Sequence, residues 1–377
     1  MSSLYLHIPF CCHKCPYCDF YSRVGSPQQV AEYVDLLCSH LLLLPKQHPE
    51  TKDLQTIFFG GGTPSLLESE QAAQILRLLR ATFGVDENAE ISLEANPGTL
   101  DERKLNGYRS AGINRLSLGV QSLRDEQLQL LGRIHSAAQA REAVLMARAA
   151  GFDNLSLDLI FNLPGQNCRS LQEEALELLE LQPEHLSLYG LSFEEGTEFA
   201  ARRQAGELQP VPEEEAADQY LLLHKLLQQA GFEHYEISNF ARPGFRCRHN
   251  QIYWQRGACM AVGCGGHSFI SSGYGERRVV PADLDRYRQR LSCGENPDEL
   301  LEGFGRRAAM VETIYLAMRT SDGLSRAGFL TEYGQTPEEA FPQVFRKLEG
   351  RLQLKDDHWR FDLSGWLLYD HFISEFF

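Results

Sequence analysis

Three closely spaced cysteines, Cys11, Cys15 and Cys18, are the residues of this chain whose types and spacing most directly suggest chemistry. The spacing Cys-x3-Cys-x2-Cys places three thiolates on one tight loop that can wrap an iron–sulfur cluster. A [4Fe-4S] cluster has four irons, so three thiolates leave one iron open, and the amine and carboxylate of an amino acid can chelate it. Cys12 adjoins a ligand and is expected to point away from the cluster.

A structural zinc site is the alternative for the same loop, with His7 or His13 as a further ligand. Ten cysteines in 377 residues are too sparse for a disulfide framework, and the closest group has a spacing suited to metal binding. Cysteine usage therefore indicates a reducing compartment. The spacing alone leaves the choice between cluster and zinc open.

A glycine-rich segment, residues 60–65 with the sequence Gly-Gly-Gly-Thr-Pro-Ser, directly follows a predicted strand. Missing side chains there allow backbone carbonyls to approach the ammonium group of a ligand. A phosphate-binding loop is excluded because no Lys-Ser/Thr pair follows, and a dinucleotide fingerprint is excluded because Ser65 stands where glycine is required. A simple tight turn is the other interpretation.

Polar side chains recur where predicted strands end. Glu94 ends the third strand, Gln121 follows the fourth, and Asp158 lies near the end of the fifth, with Arg133 beyond Gln121. Each of them alone is most simply explained as a loop anchor or a salt-bridge partner. Their recurrence at the carboxyl ends of strands, where parallel sheets bind ligands, favours one shared site, in which Glu94 could bind a ribose hydroxyl.

Short apolar runs alternate with helical patterns through residues 1–231, which predicts parallel strands joined by right-handed helical crossovers. Periodicity does not distinguish an open doubly wound sheet from a partial barrel. The predicted strands are 4–9, 56–59, 90–94, 115–119, 154–160 and 185–189. The predicted helices are 27–44, 68–82, 100–111, 137–150, 170–181 and 213–230.

The alternation stops near residue 232, which predicts two further units. Residues 232–295 form a Gly-rich, aromatic extension with strand-like runs at 235–240 and 273–280. Residues 296–377 are mostly helical with a short hairpin at 352–363, which indicates a small winged-helix-like domain.

The bulk properties narrow the class of partner. A net charge of -15 and a pI of about 5.3 disfavour general attraction to nucleic acid or anionic lipid. The N-terminus has no basic start followed by a long apolar stretch, and no segment reaches 18 consecutive apolar residues. We therefore expect a cytoplasmic protein whose partners are small molecules or proteins.

Two segments around the cysteines carry a family resemblance. Residues 5–11 (Tyr-Leu-His-Ile-Pro-Phe-Cys) and 14–20 (Lys-Cys-Pro-Tyr-Cys-Asp-Phe), followed by the Gly-Gly-Gly-Thr-Pro loop, resemble the radical S-adenosylmethionine (SAM) family of oxygen-independent coproporphyrinogen III oxidases and heme chaperones. The resemblance covers most of the chain and implies a partial (β/α)6 barrel in which SAM chelates the open iron. In related proteins, one-electron reduction can cleave SAM to a 5′-deoxyadenosyl radical.

The resemblance also implies a SAM site. The positions that match SAM-contacting positions of the oxidase branch are Tyr5, Gly61, Gly62, Thr63, Glu94, Gln121, Arg133 and Asp158. Some of those contacts, matching Gln121, Arg133 and Asp158, belong to a second SAM in the oxidases. Within this family the three cysteines hold a [4Fe-4S] cluster, so the resemblance favours the cluster over zinc.

Two features resemble the chaperone branch rather than the oxidase branch. Oxidases have a fourth cysteine two residues after the third, where this chain has Phe20. Residues 249–254 match the His-Asn-x-x-Tyr-Trp motif of the chaperones, which is proposed to bind heme. The resemblance therefore implies a heme site that includes His249.

The segment around His249 has a composition suited to heme. Between Phe240 and Pro281 there is one acid, Glu276, against six arginines: Arg242, Arg246, Arg248, Arg256, Arg277 and Arg278. Guanidinium groups can pair with the two propionates, aromatic residues such as Tyr253 and Trp254 can form walls, and His249 or Cys247 can be an axial ligand. Structural pairing of these arginines with acids elsewhere is the alternative.

The sequence therefore predicts a heme-trafficking protein without a catalytic residue of its own. It would carry [4Fe-4S], SAM and heme, and would deliver heme to acceptors such as respiratory enzymes, with peripheral membrane contact only through those acceptors. The alternatives are an oxygen-independent coproporphyrinogen III oxidase and a radical SAM enzyme that acts on heme itself.

Overall fold

The computed structural model describes residues 2–49 and 51–377 and contains a curved sheet with a central set of six parallel strands. The strands of the first half are β1 Ser2–Ile8, β2 Phe10–Cys11, β3 Arg23–Val24, β4 Leu54–Gly61, β5 Val85–Ala95, β6 Arg115–Gln121, β7 Leu155–Phe161 and β8 His185–Gly190. β1, β4, β5, β6, β7 and β8 lie side by side in chain order, as expected for right-handed crossovers. All six predicted strands are confirmed.

Helices follow these strands and cover the outside of the sheet. They are α1 Pro27–Gln47, α2 Ser69–Phe83, α3 Glu102–Ala111, α4 Asp125–Leu130, α5 Ala137–Ala149, α6 Cys168–Glu180, α7 Glu198–Gln204 and α8 Glu213–Gln229. Capping fixes their starts: Ser26 accepts from the backbone N–H of Gln29 while the Gln29 side chain accepts from the N–H of Ser26. α1 continues through Pro45 to Gln47, past its predicted end at residue 44, although the proline has no N–H for the helix.

The extension contributes strands to both edges of the large sheet. Its strands are β9 Glu233–Glu236, β10 Asn239–Ala241, β11 Met260–Val262, β12 His267–Ile270, β13 Glu276–Val279 and β14 Glu299–Gly303, and its helices are α9 Arg248–Trp254 and α10 Leu284–Ser292. β11 pairs in parallel with β1, whereas β10 pairs antiparallel with β8 and with β9. The single strand predicted at 235–240 is wrong: the segment belongs to a hairpin, and its turn at Ile237 and Ser238 contains no glycine or proline that would mark it in the sequence.

A second sheet extends past the predicted end of the extension. β12, β13 and β14 form a three-stranded antiparallel sheet, so the segment 299–303 is a strand and not part of a helical region. The helical pattern predicted from residue 296 fails there because leucines at positions 300 and 301 are exposed on an edge strand. The extension therefore continues to about Gly303, beyond the expected boundary at residue 295.

The last 70 residues have the element order of a winged helix. The elements are α11 Arg306–Ala317, β15 Leu324–Ser325, α12 Arg326–Tyr333, α13 Pro337–Ala340, α14 Pro342–Lys347, β16 Leu352–Lys355, β17 His358–Phe361, α15 Leu363–Leu367 and α16 Tyr369–Ile373. Strand β17 lies between β15 and β16, and the hairpin predicted at 352–363 is confirmed. This domain has its own apolar core, separate from the core between the barrel strands and helices.

No helix among the described residues combines the length and the apolar character that crossing a membrane requires.

Candidate functional site

The loop after β1 arranges the three predicted cluster cysteines around one small cavity. Cys11 ends β2, and the backbone N–H of Cys18 donates to the carbonyl of Cys15 at 3.1 Å, which closes the loop into a turn. Their side chains border a cavity of about 60 Å³ and are half-buried, whereas Cys12, which borders the same cavity, is exposed. Three thiols of matched burial on one cavity wall fit the three-cysteine ligand set of a [4Fe-4S] cluster.

Two donors from other elements hold the thiols in place. The Thr63 hydroxyl donates to Cys11 Sγ at 3.4 Å, and the Arg133 guanidinium donates to Cys15 Sγ at 3.6 Å. Burial, with the neighbouring Cys15 and Cys11 thiols, raises the pKa of Cys18. Three adjacent thiolates therefore repel one another, and a bound cationic metal centre removes that cost.

The zinc alternative is not supported by the surroundings of the loop. The Nε2–H of His7 donates to the carbonyl of Tyr21 at 3.0 Å, and the His13 side chain is exposed. Within residues 2–49 and 51–377, no three His, Cys, Asp or Glu side chains converge tightly enough to hold one metal ion. His7 is therefore committed to a protein carbonyl, whereas His13 borders the same cavity as the three cysteines.

A second, larger cavity lies directly beside the cysteine cavity, at the carboxyl ends of the parallel strands. It has a volume of about 360 Å³ and shares Tyr17, Cys18, Gly62, Thr63, Asn96 and Arg133 with the smaller one. Seven of the eight residues predicted to bind SAM line it: Gly61, Gly62, Thr63, Glu94, Gln121, Arg133 and Asp158. A ligand in this cavity therefore borders the cysteine cavity directly.

Gly61 and Gly62 meet steric requirements that no other residue satisfies well. Gly61 has φ of 113°, in the left-handed region that side chains disfavour. A Cβ on Gly62 would lie 2.7 Å from the Phe10 carbonyl oxygen and 3.0 Å from Cys11 Sγ. The glycine-rich segment thus brings the end of β4 against the cluster loop, which a simple surface turn would not require.

The two carboxyl groups of the cavity are poorly solvated. Glu94 Oε2 accepts from the backbone N–H of Gly61 at 3.1 Å, and burial together with the neighbouring Asp158 raises the pKa of Glu94 to about 8. Asp158 accepts from the Ser117 hydroxyl at 3.1 Å, and burial raises its pKa as well. Glu94 is therefore mostly protonated at neutral pH, able both to donate and to accept hydrogen bonds with ligand hydroxyls.

Replacing Glu94 by glutamine is expected to stabilise the protein increasingly as pH rises. The folded state holds the Glu94 proton more tightly than the unfolded state, so wild type loses stability between the ordinary pKa of 4.5 and about 8. Glutamine keeps the shape of the side chain and the oxygen that accepts from the Gly61 N–H. It has no proton to lose, so the loss of stability with rising pH disappears. Its stability advantage should grow by about 3 kcal/mol from pH 6 to pH 9, measured by urea unfolding without added SAM. A constant difference across that range would contradict the pKa.

Gln121 and Arg133 reach the cavity because the fourth barrel strand is irregular. Gln121 has φ of 66°, and the register of β6 against β7 shifts between Leu118 and Gln121. Arg133 donates to the carbonyl of Gly119 at 2.8 Å, and a Cβ on Gly119 would lie 2.9 Å from Gln121 Nε2 and 3.2 Å from the Arg133 guanidinium. The irregularity turns Gln121 inward, and the carbonyl of Gly119 holds the Arg133 side chain, which comes from the loop after α4.

Tyr5 is the one predicted SAM residue that does not line the strand-end cavity. It lines an inner cavity of about 200 Å³ that shares Glu94, Ser117, Asp158 and Tyr189 with the strand-end cavity. Its hydroxyl donates to His7 Nδ1 at 3.3 Å. Tyr5 therefore lies deeper in the barrel than the strand-end cavity, beside Glu94 and Asp158, which line both cavities.

His249 lies at the opposite end of the barrel from the cysteines, where α9 closes the amino-terminal mouth. Only 1% of its surface is exposed, and it contacts the inner cavity rather than solvent. Nδ1 is hydrogen-bonded to the Thr56 hydroxyl at 2.8 Å and Nε2 to the Tyr253 hydroxyl at 2.8 Å. Because both ring nitrogens are occupied by protein groups, this arrangement leaves none for a heme iron.

Four of the six arginines between Phe240 and Pro281 are paired with acids, nearly all of which lie outside that segment. Arg246 pairs with Glu233 and Asp322, and Arg278 with Asp298 and Glu276. Arg256 and Arg277 both bind the Glu312 carboxylate. The local excess of positive charge in the sequence is thus largely neutralised in three dimensions, as the structural alternative expects.

Sequence reasoning missed some residues of the strand-end cavity: Tyr17, Asn96, Tyr189, Ser192 and Glu194. Tyr189 and Asn96 each stand at or directly after a predicted strand, as Glu94 does, so the strand-end rule that found Glu94 applies to them as well. Tyr17 lies between two cysteines of the cluster motif, where the spacing identifies the cysteines but gives no role to the residues between them.

Comparison with known proteins places the chain in a family. It is 34% identical over 349 residues to the heme chaperone HemW of Bacillus subtilis, covering 92% of this chain and 91% of that protein. It is 33% identical over 386 residues to the heme chaperone HemW of Escherichia coli, covering 99% and 97%. The chain belongs to the HemW family. A third HemW, from Haemophilus influenzae, is 41% identical over 73% of this chain and 72% of its own length.

Family models and a solved structure agree with the architecture of a HemW protein. The radical SAM superfamily model matches residues 5–178, and the HemN C-terminal domain model matches residues 306–368. The coproporphyrinogen III oxidase HemN of Escherichia coli superposes with a TM-score of 0.83 at 22% identity, covering 99% of this chain and 89% of that one. The predicted fold class, a radical SAM barrel with a C-terminal extension and a small helical domain, is confirmed.

Proposed function

We propose that this chain is a heme chaperone: it holds a [4Fe-4S] cluster on Cys11, Cys15 and Cys18, binds SAM in the strand-end cavity, and passes heme unchanged to acceptor proteins. The observation that carries the proposal is the 33% identity to an Escherichia coli protein named heme chaperone HemW over 97% of that protein's length. Phe20 supports it, because 67% of its surface is exposed where the oxidase pattern has a fourth cysteine.

The cavity residues suit SAM by charge and by shape. Besides the mostly protonated Glu94, the carboxyl groups of Asp158, Asp19 and Glu194 border a cavity that has one guanidinium group, that of Arg133, and SAM carries a positively charged sulfonium. The Arg133 Nε–H is buried without a protein acceptor, so it is free for a ligand oxygen. When bound, the cluster with SAM supplies one-electron chemistry. The residues of this chain orient the ligand and exclude water around it.

The heme acceptors we propose are respiratory enzymes in contact with the cytoplasm. Ten free cysteines and an iron–sulfur site suit a reducing compartment. Contact with a membrane would then come through the acceptor rather than through this chain.

One anaerobic experiment tests the proposal. Reconstituted protein is incubated with reductant, SAM and either coproporphyrinogen III or heme, and the tetrapyrroles are separated by chromatography. A second aliquot of the heme-loaded protein is mixed with the apo form of a heme-containing respiratory enzyme, whose activity is followed.

Heme recovered intact and a gain of acceptor activity are the expected results. Appearance of protoporphyrinogen would show that the chain is an oxidase, and a ring-opened product would show an enzyme that acts on heme. Free heme at the same concentration is the control, since a chaperone must load the acceptor faster than free heme does.

A further inference from the structure

A cleft of about 580 Å³ lies between α9 and the winged-helix-like domain, and it shares no lining residue with the strand-end cavity. Trp254 borders it on the α9 side, and Phe329 and Leu324 border it on the side of the domain. Its volume falls within the range of about 300–1,000 Å³ that is usual for organic ligands. The cleft adjoins the amino-terminal mouth of the barrel, whereas the cysteines lie at the carboxyl ends of the strands.

Helix α9 divides the residues of its motif between two cavities. Gln251, Trp254 and Gln255, which are three and four residues apart, share one face of the helix and line the cleft. His249 and Tyr253, four residues apart, share the opposite face and line the inner barrel cavity. The two faces therefore serve different sites, and only the face with Trp254 is open to a ligand as large as heme.

Two hydrogen-bond donors on residues of the cleft lack protein acceptors. The Trp254 indole N–H and the Arg360 Nε–H are both buried and unpaired. Arg246 and Arg256 border the cleft as well, with Asp322 and Glu332 as the acids on its wall. Buried donors without partners are rare in folded proteins, and a carboxylate-bearing ligand would satisfy them.

His358 offers the cleft an imidazole with a free nitrogen. Among the described residues that line the cleft, it is the only histidine, and none of them is cysteine or methionine. Its Nδ1–H donates to the carbonyl of Asp356 at 2.8 Å, which fixes the tautomer and leaves the Nε2 lone pair for a metal. His249 offers no such atom.

We propose that heme binds in this cleft, with Nε2 of His358 as axial ligand, Trp254 and Phe329 against the porphyrin face, and Arg360 near a propionate. The inference rests on the proposed heme chaperone function and assigns its heme site. It also separates heme from the cluster by the length of the barrel, so the two groups do not touch.

Spectral titration of the full-length protein with hemin tests the assignment. His358→Ala is expected to shift the Soret band and to weaken hemin binding on the order of tenfold or more, because the iron loses its protein ligand. The matched control is His371→Ala, an exposed histidine of the same domain outside the cleft, which should behave as wild type. Trp254→Ala should weaken hemin binding as well.

Binding of metal-free protoporphyrin IX, measured by its fluorescence, distinguishes the loss of an iron ligand from the loss of packing against the porphyrin. His358→Ala should bind it as wild type does, whereas Trp254→Ala should bind it more weakly. An unchanged hemin spectrum and affinity in His358→Ala, or a spectrum lost only in His249→Ala, would contradict the assignment of heme to the cleft and would leave the proposed chaperone function intact. If the wild-type protein does not bind hemin at all, both the proposed chaperone function and the proposed heme site in the cleft are wrong.

Discussion

Serine at any one of positions 11, 15 or 18 is expected to abolish assembly of the [4Fe-4S] cluster. The three thiols border one cavity, and in the proposed function each of them supplies one of the three protein ligands of the cluster. Reconstituted wild type should show the broad charge-transfer absorbance near 400 nm and about four irons per chain, and each variant should show neither. SAM binding should fall with the cluster, because its amine and carboxylate need the open iron.

Cys12→Ser is the matched control, since Cys12 lies in the same loop, borders the same cavity and is exposed. It should keep iron content and absorbance at wild-type levels. Loss of the cluster in Cys12→Ser with retention in Cys11→Ser would reverse the assignment. The circular dichroism spectrum of each variant is recorded as well. If all four variants lose both the iron and the native spectrum, the substitutions unfold the loop rather than remove a ligand.

Gly62→Ala is expected to impair both cluster assembly and SAM binding, although alanine carries no polar group. The added methyl group would lie 2.7 Å from a backbone carbonyl oxygen of Phe10 and 3.0 Å from Cys11 Sγ. A backbone carbonyl cannot rotate away as the end of a long side chain can, so the cluster loop must move away from β4. Overpacking of this kind costs about 1–3 kcal/mol, which corresponds to a loss of about fivefold to 150-fold in SAM affinity if the strain is relieved in the unliganded state.

The control for this substitution is Gly303→Ala, because a Cβ there meets no atom within 4 Å and the backbone is not left-handed. SAM binding, measured by isothermal titration of the reconstituted protein, should be unchanged in Gly303→Ala. Wild-type affinity and iron content in Gly62→Ala would mean that the loop has more freedom than the close contact with Phe10 allows.

The strand-end residues could be predicted from sequence because the carboxyl ends of parallel strands all lie at the same edge of a sheet. Once β5, β6 and β7 are recognised as parallel, Glu94, Gln121 and Asp158 must meet at one edge, and they do border one cavity. Tyr5 is the residue to which the rule does not apply, since it points into the barrel from the middle of β1.

The heme-related residues could not be placed in the same way, because their surroundings depend on contacts between distant segments. His249 is hydrogen-bonded to Thr56, nearly 200 residues earlier, and Arg256 and Arg277 bind Glu312 in the following domain. Local composition shows the arginines but not the acids that approach them. The cleft itself exists only once the winged-helix-like domain packs against α9.

The edges of the barrel sheet have a consequence for how the chain can be made. β1 and β8, the outer strands of the six, are covered by β11 and β10, which lie in the extension. While the ribosome is still adding residues after 231, both edges offer unpaired N–H and carbonyl groups. The nascent barrel must therefore wait for residues 239–262 before it is protected from association with other chains, and a fragment that ends at residue 231 would remain in that exposed state.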